Sequence, residues 1–372
     1  MPNDGFVPRA LYAPSGYQGG CKMRFLVHAM TLVAIALAGP SVRASARASS
    51  AEPDGAFGRF LDNLRPRALA LGVSPATLDA VIPTLSFNPR VIELDRAQPG
   101  GNPNAPPAAI PRFAPYAARH VDAERINRGR KRYQAFRPRL ALIEARTGVP
   151  DSIMMAIYGH ETNYGAYTGD FDLLRSLASL AYEGRRRELF TQEFISTLLL
   201  MERGVPRARL KGSWAGATGY PQFLPSMYMR LAIDGDGDGR KDIWTSEADA
   251  LASIGNYLIN AGWKANVPWG VAVRVPATLN RGALRSSIVP PRCPRVHERH
   301  SRWLTVGEWR RLGITIVGLR PPADSEPATL LEPDGPNATA YLLTGNYRTI
   351  LDYNCSNFYA LSVGLLADAI GR

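Results

Sequence analysis

Glu161 stands at the centre of the run Ile157-Tyr158-Gly159-His160-Glu161-Thr162-Asn163-Tyr164-Gly165. The run points to proton-transfer chemistry. Ile153, Ile157 and Glu161 are spaced four apart, so on a helix they share one face. A lone carboxyl on an apolar face is held away from water. Its pKa rises and it stays protonated near neutral pH, which is what a general acid requires. A capping or salt-bridged glutamate is the plain structural alternative. His160-Glu161 also opens the zinc-protease pattern, which needs a second His four residues after the first. Position 164 is Tyr164, so one helix face cannot offer two imidazoles and the zinc reading is excluded.

A second constellation is Asp234-Gly235-Asp236-Gly237-Asp238-Gly239, which matches the first half of a calcium loop. Oxygen ligands at alternate positions converge on one ion, and Gly at the sixth position permits the sharp turn. The twelfth position is Thr245 rather than Glu, which leaves Glu247 or Asp249 to close the site. The calcium reading uses Asp234, Asp236, Asp238, the Arg240 carbonyl and Asp249. The alternative is an Asp/Gly turn without an ion. The loop does not contain the candidate acid, so an ion there is structural.

These residues must be positioned by a large, mostly helical chain. Its 372 residues, 45% hydrophobic and 20% charged, suffice for two or three subdomains. The net charge of +12 favours anionic partners such as nucleic acid, anionic lipid or an acidic cell-wall polymer. The basic residues are spread out rather than interleaved with aromatics, and no nucleic-acid module is present. Met23-Arg24 precedes an apolar run from Phe25 to Gly39, then Pro40 and the small residues around Ala44, Ala46 and Ala48. That layout predicts a signal peptide, with residues 1–48 removed, initiation at Met23, and no stable membrane anchor. No cysteine directly follows the apolar run, so no lipid attachment is expected there. An exported chain with Cys293 and Cys355 is expected to pair them as a disulfide.

Residues 51–96 read as helices, with Ser74-Pro75 as a start signal. Residues 97–115 are rich in Pro, Gly, Asn and Ala and read as a loop, so residues 51–115 form an N-terminal helical region and linker. A helical core spans 116–264, with breaks at Gly148-Val149-Pro150 and around 165–169, and with an irregular packed loop at 212–226. Residues 265–345 carry short β-prone runs, 270–275 and 314–317 among them, and residues 346–372 return to helix. The expected fold class is α+β, mostly α.

Several ordered stretches together resemble the lytic murein transglycosylase B family, within the lysozyme-like superfamily. They are Gly148-Val149-Pro150, Gly159-His160-Glu161-Thr162-Asn163-Tyr164-Gly165, Leu177-Ala178-Ser179-Leu180-Ala181-Tyr182 and Gly212-Ser213-Trp214-Ala215-Gly216-Ala217. Gly219-Tyr220-Pro221-Gln222-Phe223-Leu224-Pro225-Ser226, the acidic loop, Asn256-Tyr257-Leu258 and Tyr353-Asn354 complete the set. The resemblance runs over residues 55–370 or so, nearly the whole chain beyond the leader. It implies a lysozyme-like fold with helical domains and a small β-rich insertion.

The resemblance also implies cleavage of the β-1,4 bond between N-acetylmuramic acid and N-acetylglucosamine without water. One glutamate does both proton transfers and the muramyl C6 hydroxyl closes a 1,6-anhydro ring, an exception to the two-carboxylate rule. Glu161 takes that role. Tyr116, Ser213, Gln222, Tyr257, Tyr353 and Asn354 stand where the family places saccharide or N-acetyl contacts. Arg186 and Arg187 match a basic pair facing peptide-stem carboxylates, and Phe190 stands where some relatives have a tyrosine. Asp249 is the counterpart of the aspartate that closes the ion site in relatives, although the loop here is one residue longer. The implied partners are peptidoglycan glycan strands in the periplasm. The chemistry needs no cofactor, and the calcium is structural. A hydrolytic muramidase and a non-catalytic wall-binding scaffold are the alternatives; the released product separates the first, and the intact Glu161, Ser213 and Gln222 argue against the second.

Overall fold

The computed structural model describes residues 52–98 and 111–371. The expected signal peptide and most of the expected linker lie outside those residues. The N-terminal helices are α1 (Glu52–Ala70) and the shorter α2 (Pro75–Val81) and α3 (Pro89–Arg96), the last two each opening on a proline. Ser74 caps α2 as its sequence announces, its hydroxyl accepting from the Thr77 N–H at 3.1 Å with Pro75 in the first turn. The apolar residues of these helices, Phe57, Leu61, Leu78 and Val91, are buried. They share one core with α7 (Leu173–Glu183) and α8 (Arg187–Glu202), through residues such as Leu177, Phe194 and Leu198.

A second core surrounds α6 (Asp151–Thr162). It is packed by α5 (Ala123–Thr147), α10 (Glu247–Asn260), α13 (Gly345–Tyr353) and α14 (Asn357–Ile370). The spacing of Ile153, Ile157 and Glu161 predicts one apolar side. The structure goes further, because Met154, Met155, Ala156, Ile157 and Tyr158 are all fully buried. A helix wrapped on every side is the central rod of its domain rather than an amphipathic surface helix. Close packing at its far end depends on glycine. A Cβ at Gly129 or Gly159 would lie 2.3 or 2.4 Å from atoms of Tyr164.

The β-prone stretch forms one antiparallel sheet in the order β4-β6-β7-β3-β5. Its strands are β3 (Gly270–Arg274), β4 (Leu304–Thr305), β5 (Thr315–Ile316), β6 (Pro327–Leu331) and β7 (Ala340–Leu343). The two-residue period decides which core each side chain joins. Tyr341 and Leu343 of β7 enter the central helical core, whereas Ala340 and Leu342 enter a third core built on Trp309, Val271 and Val273. The Trp309 core also contains α12 (Val306–Arg311), which the strand-oriented reading of this region passes over. Its signal is present: Thr305 and Glu308 form a complete capping box. The short α11 (Pro294–His297) is likewise helical. Cys293, at the start of α11, is joined by a disulfide to Cys355 between α13 and α14, with Cα atoms 5.4 Å apart.

Two further elements frame the site. The helix α4 (Phe113–His120) takes in the last three residues of the expected linker, because Asp334 of the β6–β7 connection caps it from outside. The Phe113 and Ala114 N–H groups donate to its carboxylate at 2.5 and 3.2 Å. The loop 212–226 is irregular, as its composition predicts, but is pinned by bridges pairing Gly212 with Thr218 and Thr218 with Phe223. Its start, β2 (Lys211–Gly212), pairs with β1 (Phe171–Asp172).

Candidate active site

Glu161 occupies the last turn of α6. The helix stops immediately beyond it because Asn163 and Tyr164 both adopt left-handed backbone angles, with φ of 50° and 60°. The strain is held by packing: the Tyr164 ring lies against Gly129 and Gly159, and its hydroxyl donates to the Arg125 carbonyl at 3.0 Å. Tyr164 thus serves as the stop that fixes the end of α6.

Glu161 is half-buried as a residue. Burial pushes its pKa up to about 7, opposed by one hydrogen bond from the Tyr359 hydroxyl, which reaches Oε1 at 2.6 Å. This is the general-acid condition that the helix-face spacing predicts. Tyr359 is the partner of the candidate acid that sequence reasoning misses. It lies in the first turn of α14, 198 residues away from Glu161 in the chain. Ser356 caps that turn, its hydroxyl accepting from the Tyr359 N–H at 3.3 Å. The cap is legible locally, but nothing local says where the phenol points.

Two aromatic groups flank the carboxyl. On one side Tyr353 stacks with Tyr359, centroids 6.5 Å apart and planes 10° apart, and meets Tyr257 edge-on at 4.6 Å. Tyr353 donates to the Pro221 carbonyl at 2.5 Å and Tyr257 to the Asp352 carbonyl at 2.6 Å. On the other side Tyr116 stacks on His120 at 3.9 Å, and His120 on His160 at 5.0 Å. The His160 ring meets Tyr359 edge-on at 4.6 Å, and its Nε2 lies 2.7 Å from the Ser362 hydroxyl. Burial keeps both imidazoles neutral, their pKa values lowered. The hydroxyls of Tyr116 and Tyr353 are pushed up by burial and then by the Glu161 charge, so both sit within its field.

The other expected contacts divide. Gln222 takes a left-handed backbone (φ 51°), and its amide donates to the Gly219 and Thr168 carbonyls at 2.9 and 3.1 Å. That ties the loop after α6 to the loop that carries Tyr353's acceptor. Ser213 is buried, and its hydroxyl accepts from the Ala217 N–H at 3.0 Å. Asn354 follows Tyr353, and its buried Oδ1 has no hydrogen-bond partner. Such an orphaned acceptor in the site calls for a donor. Arg186, Arg187 and Phe190 belong to the α7–α8 corner and the N-terminal core instead. Arg186 pairs with Asp95 at 2.6 Å and covers the Phe190 ring at 4.6 Å. Phe190 itself is buried, so it supports Arg186 rather than offering a free ring face. Arg187 lies over Phe60 at 5.4 Å and donates to the Tyr182 carbonyl.

In the acidic loop, carboxylate oxygens of Asp234, Asp236 and Asp249 lie within 4.8 Å of one another. Asp249, fully buried in the first turn of α10, is the third member of this group, and it accepts from the Gly235 and Asp242 N–H groups at 2.7 and 2.6 Å. Asp238 stands outside this trio, its carboxylate accepting from the Arg240 N–H at 2.8 Å. A hard oxygen set of this kind suits calcium.

With this geometry the comparisons agree. The transglycosylase SLT domain family matches residues 56–368. The chain belongs to the transglycosylase SLT family. Membrane-bound lytic murein transglycosylase B of Escherichia coli K12 is 33% identical over 227 residues, an alignment covering 60% of this chain and 57% of that relative. The chain therefore spans little more than half the length of this curated relative. Among solved members of the family, SltB3 of Pseudomonas aeruginosa in complex with NAG-anhNAM-pentapeptide superposes with a TM-score of 0.74 at 37% identity. That superposition covers 85% of this chain and 79% of SltB3. The Escherichia coli lytic transglycosylase Slt35 in complex with calcium gives a TM-score of 0.67 at 25% identity, over 86% of this chain and 93% of Slt35. The lysozyme-like, mostly helical fold class follows.

Proposed function

We propose that this chain is a peptidoglycan lytic transglycosylase, with Glu161 as its single acid and base. The observation that carries the reading is a carboxyl whose pKa lies at about 7, set between tyrosines in a partly open site. At neutral pH such a group divides between its two forms, and a residue that must first give a proton and then take one uses both.

In the first step protonated Glu161 donates to the glycosidic oxygen, and the bond from that oxygen to muramyl C1 breaks. The N-acetyl carbonyl of the same sugar shields the cation-like C1. Ionised Glu161 then removes the proton from the C6 hydroxyl as O6 bonds to C1, which restores the acid and leaves a 1,6-anhydro end. No water is consumed. The second step is intramolecular, and a positioned nucleophile has an effective molarity on the order of 10⁵ M in good cases. Tyr359 anchors Oε1, which supports Oε2 as the proton-carrying oxygen. Asn354, Ser213, Gln222, Tyr116, Tyr257 and Tyr353 are the candidates for holding the saccharide and N-acetyl groups. The Asp234, Asp236 and Asp249 trio is assigned a structural calcium. The substrate and the apolar run at 25–39 together support a periplasmic location, reached through a signal peptide. No helix among the described residues is long and apolar enough to cross a membrane.

The test is digestion of purified sacculi in water enriched in heavy oxygen. Released muropeptides are expected to end in anhydromuramic acid, one water lighter than reducing ends and without label at C1. Labelled reducing ends would make water the nucleophile and the protein a muramidase. No release at all would leave a wall-binding scaffold.

A further inference from the structure

Aromatic side chains among the described residues are buried or half-buried, with one exception. Tyr167 is 75% exposed and is the one aromatic among the exposed large hydrophobic residues described. Its place is specific. The Tyr167 N–H donates to the Thr162 carbonyl at 3.0 Å, so its backbone lies directly beside the residue that follows Glu161.

The turn that carries it is fixed on every side. The Gly165 N–H donates to the Thr162 hydroxyl at 3.1 Å, and the Gly165 backbone packs against the Tyr158 and Tyr220 rings. The next carbonyl, that of Thr168, accepts from Gln222 at 3.1 Å. Gly169, at φ 87°, is pressed so closely on Gly212 that a Cβ would stand 2.3 Å from its backbone. A solvent-facing ring on a backbone held this tightly presents an apolar face with no loop ordering to pay on binding. Solitary exposed apolar residues need no explanation in general. An exposed aromatic is different when it stands on an immobilised turn one residue from the acid and is tied to a candidate sugar contact.

We propose that Tyr167 is a stacking platform for a pyranose ring of the glycan strand, next to the ring whose bond is broken, and that it sets the preference for longer strands. The inference rests on the proposed glycan-strand substrate and deepens it. The ring face supplies uniform binding, equal in ground and transition states, and the hydroxyl has no part in it.

The experiment has two arms. In a Glu161→Gln background, calorimetry measures the affinity for a peptide-free hexasaccharide of alternating N-acetylglucosamine and N-acetylmuramic acid. Tyr167→Ala is expected to weaken it roughly 3- to 10-fold, while Tyr167→Phe and Tyr167→Trp retain it. With Glu161 intact, Tyr167→Ala is expected to raise KM for solubilised glycan strands by a similar factor, with kcat changed less than about twofold. Equal affinity in the Ala variant overturns the platform, and so does a Phe variant as weak as Ala. A fall in kcat matching the loss in kcat/KM also overturns it, since the turn would then be positioning Glu161. These outcomes leave the lytic reading standing, because that reading is decided by the anhydro ends. Failure of the Glu161→Gln protein to bind the hexasaccharide at all would overturn the platform, and the anhydro ends would still decide the lytic reading.

Discussion

At the scale of single residues, the site consists of one carboxyl and the phenol that tunes it. Replacing Glu161 with Gln keeps shape and removes the titrating proton, so turnover of sacculi is expected to fall by roughly two to four orders of magnitude. The same variant reports on stability. The folded pKa of Glu161, about 7, lies above its ordinary value of 4.5. The folded state therefore holds the proton more tightly than the unfolded chain. That contribution is complete below about pH 4.5 and is lost as pH rises through 7. At pH 8 the Gln variant is expected to be more stable than the parent, by on the order of 1–3 kcal/mol, with the two melting alike near pH 4. Melting curves at both pH values check this. Tyr359→Phe removes the hydrogen bond that lowers the carboxyl's pKa. The alkaline limb of the pH–rate profile, where the acid is lost, is expected to move to higher pH. An unmoved limb would show that the phenol does not bond the acid in solution.

At the scale of elements, the acidic loop and α10 form a unit that folds around Asp249. The buried carboxylate caps two N–H groups at the loop's two ends, those of Gly235 and Asp242, while its neighbours Asp234 and Asp236 repel it. A calcium ion bound only to the folded protein relieves that repulsion and adds stability in proportion to the logarithm of its concentration. Added calcium is expected to raise the melting temperature and chelator to lower it. Asp249→Asn should abolish the calcium response. It should also cost about 1–3 kcal/mol in chelator, because one amide oxygen cannot replace both bonds. A calcium titration of each protein by calorimetry separates these effects.

At the scale of the whole molecule, the site is assembled from parts that are far apart in the chain. Tyr116 arrives on a helix capped by Asp334 of the sheet, Glu161 on the central helix, and Tyr353 and Tyr359 on α13 and α14. The Cys293–Cys355 disulfide closes a loop across 62 residues and secures the sheet region to the turn between those two helices. Its removal in a Cys293→Ser, Cys355→Ser double variant is expected to destabilise the protein by about 2–4 kcal/mol. Denaturant titration of the double variant against the parent measures that cost.

The chemistry-bearing residues were largely legible because their signals are local. Glu161 declares itself by four-residue spacing, Ser74 by the Pro after it, the acidic loop by alternating Asp and Gly, and the strands by runs such as Val271 to Val275. The α12 helix is equally legible in the Thr305–Glu308 capping box, although the β-prone runs around it point to strands. Other features depended on long-range packing. Tyr359 reaches Glu161 because α14 packs along α6, and Phe190 lies buried beneath Arg186 because α8 turns it into the N-terminal core. Spacing along a chain fixes which side chains share a face over a turn or two. What stands opposite that face is decided by burial of apolar surface summed over the whole fold, and that sum is complete only in the tertiary structure.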